Sequence, residues 1–155
     1  MFPSSVIIRY YKSMEVFLLK NILVALDGSD QSLEALYEST EIAKRNDAKM
    51  FLLSSVNFKP WTTDAEVMQL LLRKKQITAK DIVDEAKEQI PKSIECHAEI
   101  VNGNPKISIV QFANENDIDL IVMGATGKGV IDRVLVGSTT SFVVNNAQCN
   151  VLVVK

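Results

Sequence analysis

The chain has 155 residues, of which 47% are hydrophobic and 23% charged, with a formal net charge of −2. That length and balance fit a single folded domain with a real core and exclude a disordered tail. The small net charge removes the electrostatic case for DNA or RNA as the main partner. Two cysteines, Cys96 and Cys149, form no CxxC and no Cys/His cluster, so zinc is not expected and both read as free thiols of a reducing cytoplasm.

Residues 1–20, MFPSSVIIRYYKSMEVFLLK, come first. Arg9, Lys12 and Glu15 interrupt any membrane span, and the apolar run 16–19 is too short for a signal-peptide core. No other stretch reaches the length a bilayer needs, so a cytoplasmic protein is expected. Residues 1–20 read as an N-terminal leader before a domain of residues 21–155. Residues 1–13 precede Met14 and show no clear period; a poorly ordered leader and an upstream start codon both remain open.

Residues 21–26, NILVAL, are a continuous apolar run closed by Asp27-Gly28-Ser29, which predicts a strand buried on both faces and a tight turn. A helix follows, capped by Ser29 or Asp30, with Leu33, Leu36, Tyr37, Thr40, Ile42 and Ala43 on its buried stripe. Residues 49–56 predict a second buried strand. A loop with Pro60 and Trp61 leads to a long helical pattern over 63–90, ended by Pro91. Residues 93–101 alternate, with Ile94, Cys96, Ala98 and Ile100 on one side, and predict a third strand nearer an edge. Asn104-Pro105 opens a helix carrying Ile107, Val110, Gln111 and Phe112. Residues 119–123 are strand four, a short helix lies near 138–145, and residues 150–154 are strand five. Strict alternation of buried strands and helices predicts a parallel, doubly wound, Rossmann-like α/β sheet with four helices. Ligands of such sheets sit at the carboxyl ends of the strands, where strand order reverses.

The segment GATGKGVIDRVLVGSTTS, residues 124–141, lies at such an end. It is not a Walker loop: the motif's first glycine is missing, and Gly127-Lys128 is followed by Gly129 where Ser or Thr would hold magnesium. Nor does it fit GxGxxG. Its spacing is Gly124-x2-Gly127-x9-Gly137-Ser138. Glycine lets backbone amides approach an oxyanion closely, and the amides after Gly137 open a helix whose N-terminus favours phosphate. Two amide nests, one around 124–129 and one around 137–139, therefore predict a polyphosphate site. Lys128 and Arg133 are cations that can face phosphate or solvent. Asp27 can serve as ligand contact, helix cap or both. Trp61 reads equally as a lid or an exposed loop aromatic, and His97 falls on the polar side of its strand.

These pieces carry a resemblance. NILVALDGSDQSLEAL, VNGNPKISIVQFANENDIDLIVMGATGKG and LVGSTTSFVVNNAQCNVLVVK resemble the ATP-binding branch of the universal stress protein family, within the adenine nucleotide alpha-hydrolase-like superfamily. The resemblance covers about residues 21–155 and is weakest between 57 and 92. It implies an open five-stranded sheet of order 3-2-1-4-5 and a homodimer paired through the last strand, at Val151, Leu152, Val153 and Val154. It implies ATP, with Mg2+ at Asp27, as the bound ligand. Asp27 would lie near ribose, phosphates or the metal, and Ala25 and Leu26 would line the nucleoside. Ser55, with Val56 beside it, would meet adenine. Gly124, Gly127, Gly137, Ser138 and Thr139 would hold the phosphates; Met123, at the end of the fourth strand, and Thr126, Lys128 and Gly129, in the loop after it, are counted among the nucleotide-binding candidates. Two positions depart from the family pattern. Thr126 stands where histidine is common, and Ser55 where a bulkier apolar residue is common.

No water-activating residue, Ser/His/Asp or Cys/His constellation is evident, so no catalytic residue is assigned. The first expectation is an ATP-binding regulatory protein of the stress response, with at most slow ATP hydrolysis. The alternatives are a stress protein that binds no nucleotide and works through its dimer surface, or a weak ATPase or phosphotransfer enzyme.

Overall fold

The computed structural model describes residues 18–127 and 136–155 in full and residues 6–8 by their backbone. In chain order the elements are β1 (Val6–Ile8), β2 (Asn21–Ala25), α1 (Asp30–Asn46), β3 (Lys49–Val56) and α2 (Ala65–Glu88). After them come β4 (Cys96–Asn102), α3 (Pro105–Glu115), β5 (Leu120–Gly124), α4 (Ser138–Asn146) and β6 (Asn150–Val154). They form one sheet of order β1-β6-β5-β2-β3-β4. The five strands from β2 to β6 are all parallel to one another. Counted from Asn21, those five strands have the order 3-2-1-4-5.

One element was not expected. The segment read as a leader supplies β1, which lies antiparallel on β6 with Val6 opposite Val153, Ile7 opposite Leu152 and Ile8 opposite Val151. Its three apolar residues are too few to show a period between polar and charged neighbours.

Alternation along each strand separates two cores. Ile22, Val24, Met50, Leu52, Leu120, Val122 and Leu152 face α1 and α2. Leu23, Leu53, Ile121, Met123, Val151 and Val153 face α3 and α4. Burial on both faces is what a continuous apolar run means in a parallel sheet. The edge strand β4 sends Cys96 and Ile100 toward the first core, with Ile94 just before it, as the alternation predicts.

The helix starts follow local chemistry. Asp64 Oδ1 accepts from the Glu66 and Val67 amides at 2.9 and 3.1 Å. Asn104 Oδ1 accepts from the Lys106 amide at 3.1 Å, with Pro105 in the first turn, where its missing N–H costs nothing.

The stripe expected of α1 needs correction. Its buried residues are Ser32, Ala35, Leu36, Ser39, Thr40 and Ala43, while Leu33 and Tyr37 face solvent. Small side chains form this contact face. The buried hydroxyls turn back on the helix: Ser39 donates to the Ala35 carbonyl at 2.6 Å and Thr40 to that of Leu36 at 2.9 Å. Their polarity is thus satisfied without leaving the helix.

Candidate functional site

The chain turns from one wing of the sheet to the other between β2 and β5, and a cleft of about 580 Å³ opens above their carboxyl ends. Most of its wall comes from four separated segments. Ala25 ends β2, and Leu26 and Asp27 follow it. Leu53 and Ser55 belong to the end of β3, and Asn57 follows it. Met123, Gly124, Thr126 and Gly127 close β5, and Gly137, Ser138, Thr139 and Thr140 open α4.

The first wall is built on Asp27. Its Oδ1 accepts from the Ser29 amide at 3.0 Å and from the Ser29 hydroxyl at 2.6 Å. Between them Gly28 has φ of 75°, a backbone shape that favours glycine. Ser29 in turn is the N-cap of α1, its hydroxyl oxygen accepting from the Ser32 amide at 3.2 Å. Asp27 is therefore not the cap itself. It orients the capping residue and turns its other oxygen across the cleft: a Cβ placed on Gly127 would lie 2.6 Å from Asp27 Oδ2.

Helix α1 also reaches the β5 loop. A Cβ on Gly124 would meet Gln31 Cβ at 2.8 Å, so glycine there lets the helix start pack onto the strand end. Gln31 Oε1 accepts from the Thr126 amide at 2.7 Å and from its hydroxyl at 3.0 Å. Thr126, expected at the phosphate site, thus gives both its amide and its hydroxyl hydrogen to Gln31. Sequence spacing gives no sign of this contact, because the two residues are 95 positions apart.

The second nest is positioned by β5. The Gly137 amide donates to the Ala125 carbonyl at 2.7 Å, and Thr140 Oγ1 to the Gly124 carbonyl at 2.8 Å. Gly137 is the N-cap of α4 and brings no side-chain acceptor to its first turn. The opening of that helix thus carries the positive end of its dipole at the cleft.

On the opposite side, Ser55 Oγ donates to the Gly103 carbonyl at 3.0 Å, and Pro105 and Ile109 from α3 add apolar surface beside Leu53 and Ala25. Of the residues expected at a binding site, Val56 is buried and outside the lining, and Lys128 and Gly129 lie outside the described residues, as does Arg133. Trp61 is exposed and does not line the cleft; His97 lies on β4, its Nε2 2.8 Å from Glu95 Oε1. Ser32, Leu53, Lys75, Pro105, Ile109 and Thr140 line it without having been expected. Among the described lining residues Asp27 is the only acid and Lys75, from α2, the only cation. No group of three or more His, Cys, Asp or Glu side chains that could hold a metal ion occurs among the described residues.

Both cysteines are free and half-buried, Cys149 beginning the approach to β6. Burial pushes the Cys149 thiol up to about 11 and raises that of Cys96. Neither lines the cleft. Among the described residues no helix is long and apolar enough to cross a membrane.

An open doubly wound α/β sheet with a glycine-lined cleft over its switch point defines the structural class. The sequence then places the chain within that class: it belongs to the universal stress protein family, whose profile matches residues 19–155. It is 39% identical over 144 residues to Universal stress protein MJ0531 of Methanocaldococcus jannaschii, covering 89% of this chain and 83% of that protein. Among solved structures it is similar to universal stress protein UspA from Lactobacillus plantarum. The TM-score is 0.82 at 38% identity, over 88% of this chain and 98% of that one. A universal stress protein in complex with cAMP has a TM-score of 0.63 at 26% identity, over 88% of this chain and 97% of that one.

Proposed function

We propose that the protein is a cytoplasmic nucleotide-binding regulator of the stress response, holding ATP in the cleft above β2 and β5. The observation that carries this reading is the convergence of Asp27, Gly127 and the open start of α4 on one polar end of the cleft. Amides at close-approach glycines and a helix N-terminus favour phosphate. The other end, with Ala25, Leu53, Pro105 and Ile109, is apolar and suits a flat base. A nucleotide has the same polarity along its length, and the volume falls in the range of small-ligand clefts, roughly 300–1,000 Å³. The related structure that holds cAMP supports an adenine nucleotide as the ligand class.

Asp27 is the only carboxylate among the described lining residues, which fits Mg2+ together with phosphate oxygens and water. That is the usual way this ion is held. The metal would enter with ATP, neutralise its charge and be steadied by Asp27. Lys75 would supply a further cation at the rim. The protein's second partner in this reading is a copy of itself, paired through Val151, Leu152, Val153 and Val154.

Protein purified without added nucleotide is heat-denatured and the supernatant analysed by mass spectrometry, and the emptied protein is titrated with ATP and Mg2+ by calorimetry. Release of adenine nucleotide, or saturable heat abolished in Gly127→Val, is the expected result. No released nucleotide together with no heat from ATP, AMP or cAMP overturns the reading.

A further inference from the structure

We infer that β1 is a cap, carried by the chain itself, on the β6 edge, and that its withdrawal opens this edge to β6 of a second copy of the chain. The two edges of the parallel sheet are built differently. Strand β4, CHAEIVN, exposes His97 and Glu99 and protects itself by charge and polarity. Strand β6, NVLVV, carries no charge, no proline and no bulge-forming glycine, so its outer row of N–H and C=O groups is a template for another strand. In this chain β1 occupies that row.

Three observations make β1 the stand-in for a second β6. It is antiparallel, unlike every other pairing in the sheet. Two copies of β6 related by a twofold axis must also run antiparallel and would use the same backbone groups. The residues are of one kind, Val6-Ile7-Ile8 against Val151-Leu152-Val153, small-to-medium aliphatics with high strand preference. Finally, β1 lies outside residues 19–155, the span that matches the family. It is an addition to the family's domain, set on the one edge that the domain leaves undefended. A ladder of three residue pairs is also short against the five residues that β6 presents. The second copy as occupant rests on the homodimer reading given above; nucleotide binding plays no part in it.

The test compares the full chain, the full chain with Val6→Pro and Ile7→Pro, and residues 19–155. Of two successive strand residues one directs its N–H to the neighbouring strand, so the paired prolines break the ladder whatever its register. Sedimentation velocity over a range of concentrations reads the mass, far-UV circular dichroism the fold, and hydrogen exchange the β6 amides. The expected result is a monomeric full chain and a twofold rise in mass for both altered forms, with β6 amides protected in the dimer. If all three forms are dimers, the homodimer reading stands and the cap is overturned. If all three stay monomeric, the homodimer reading fails and the second copy with it. Higher aggregates without a discrete dimer overturn the second copy as occupant. Loss of the folded spectrum on breaking β1 overturns the cap, because β1 would then be part of the domain's core.

Discussion

Asp27 and Gly127 face each other so closely that one added carbon separates function from clash: a Cβ on Gly127 would stand 2.6 Å from Asp27 Oδ2. This spacing predicts coupling between the two positions. Gly127→Ala should destabilise the fold by about 1–3 kcal/mol through overpacking. Adding Asp27→Ala should recover part of that loss. A double-mutant cycle in urea should give a coupling of about 0.5–3 kcal/mol, and simple additivity would contradict the contact.

Asp27→Asn keeps an acceptor for Ser29 and removes the charge. If the carboxylate steadies Mg2+ on the nucleotide, the variant binds ATP equally with and without Mg2+. The parent chain would gain roughly tenfold in affinity from the metal, a difference of about 1.4 kcal/mol. Calorimetry in Mg2+ and in EDTA measures it. An unchanged metal dependence would remove Asp27 from that role.

Gln31→Ala takes away the acceptor for the Thr126 amide and hydroxyl. The cost to stability should be about 1 kcal/mol, and ATP should bind roughly fivefold more weakly as the β5 loop loses its anchor. Gln31→Glu retains an acceptor but adds charge beside the phosphates. It should weaken ATP more than adenosine, which titration of both ligands would show.

The Cys149 thiol, pushed up to about 11 by burial, should alkylate slowly. At pH 8 the thiolate fraction is on the order of one in a thousand, against about one in ten for an ordinary thiol of 9.0. The sign for stability follows. The neutral form is favoured in the folded chain, so unfolding releases a proton once pH exceeds the ordinary thiol value of 9.0, and stability falls from there up to about 11. Urea midpoints across that range for the parent and Cys149→Ala separate this contribution from the rest of the chain.

On α1 the corrected stripe gives opposite outcomes at neighbouring positions. Tyr37→Ala should change stability by no more than about 0.5 kcal/mol, since the ring faces solvent. Ala35→Leu should cost about 1–3 kcal/mol, since Ala35 is fully buried against the sheet. Denaturant midpoints of the two variants decide between the two stripes.

That helix also shows where sequence reading ends. Its existence and its Ser29 cap were legible, because caps and periodicity are local. Its contact face was not: Ser32, Ala35 and Ser39 are small or polar, and hydrophobic periodicity gives weight to Leu33 and Tyr37 instead. The strands behaved oppositely. Continuous apolar runs such as 21–25 and 120–123 permit only double-sided burial, so their parallel central placement could be read directly. At the cleft, the glycines were visible because their spacing is unusual, and Asp27 because it ends the first strand. Gln31 and Lys75 were hidden, since each acquires its place only when the sheet brings distant segments together. Strand β1 was hidden for a different reason: three apolar residues acquire meaning only from the edge on which they lie.

Most of the cleft lining comes from four segments, residues 25–32, 53–57, 123–127 and 137–140, with Lys75, Pro105 and Ile109 added from α2 and α3, so no single stretch of the unfolded chain reproduces it. A molecule that needs all four recognises the assembled sheet alone, and occupancy becomes linked to the folding equilibrium. At a hundredfold excess over its Kd such a ligand adds about 2.7 kcal/mol to stability. The lifetime of the protein in a cell would then rise and fall with the concentration of whatever fills the cleft, with no catalytic step required.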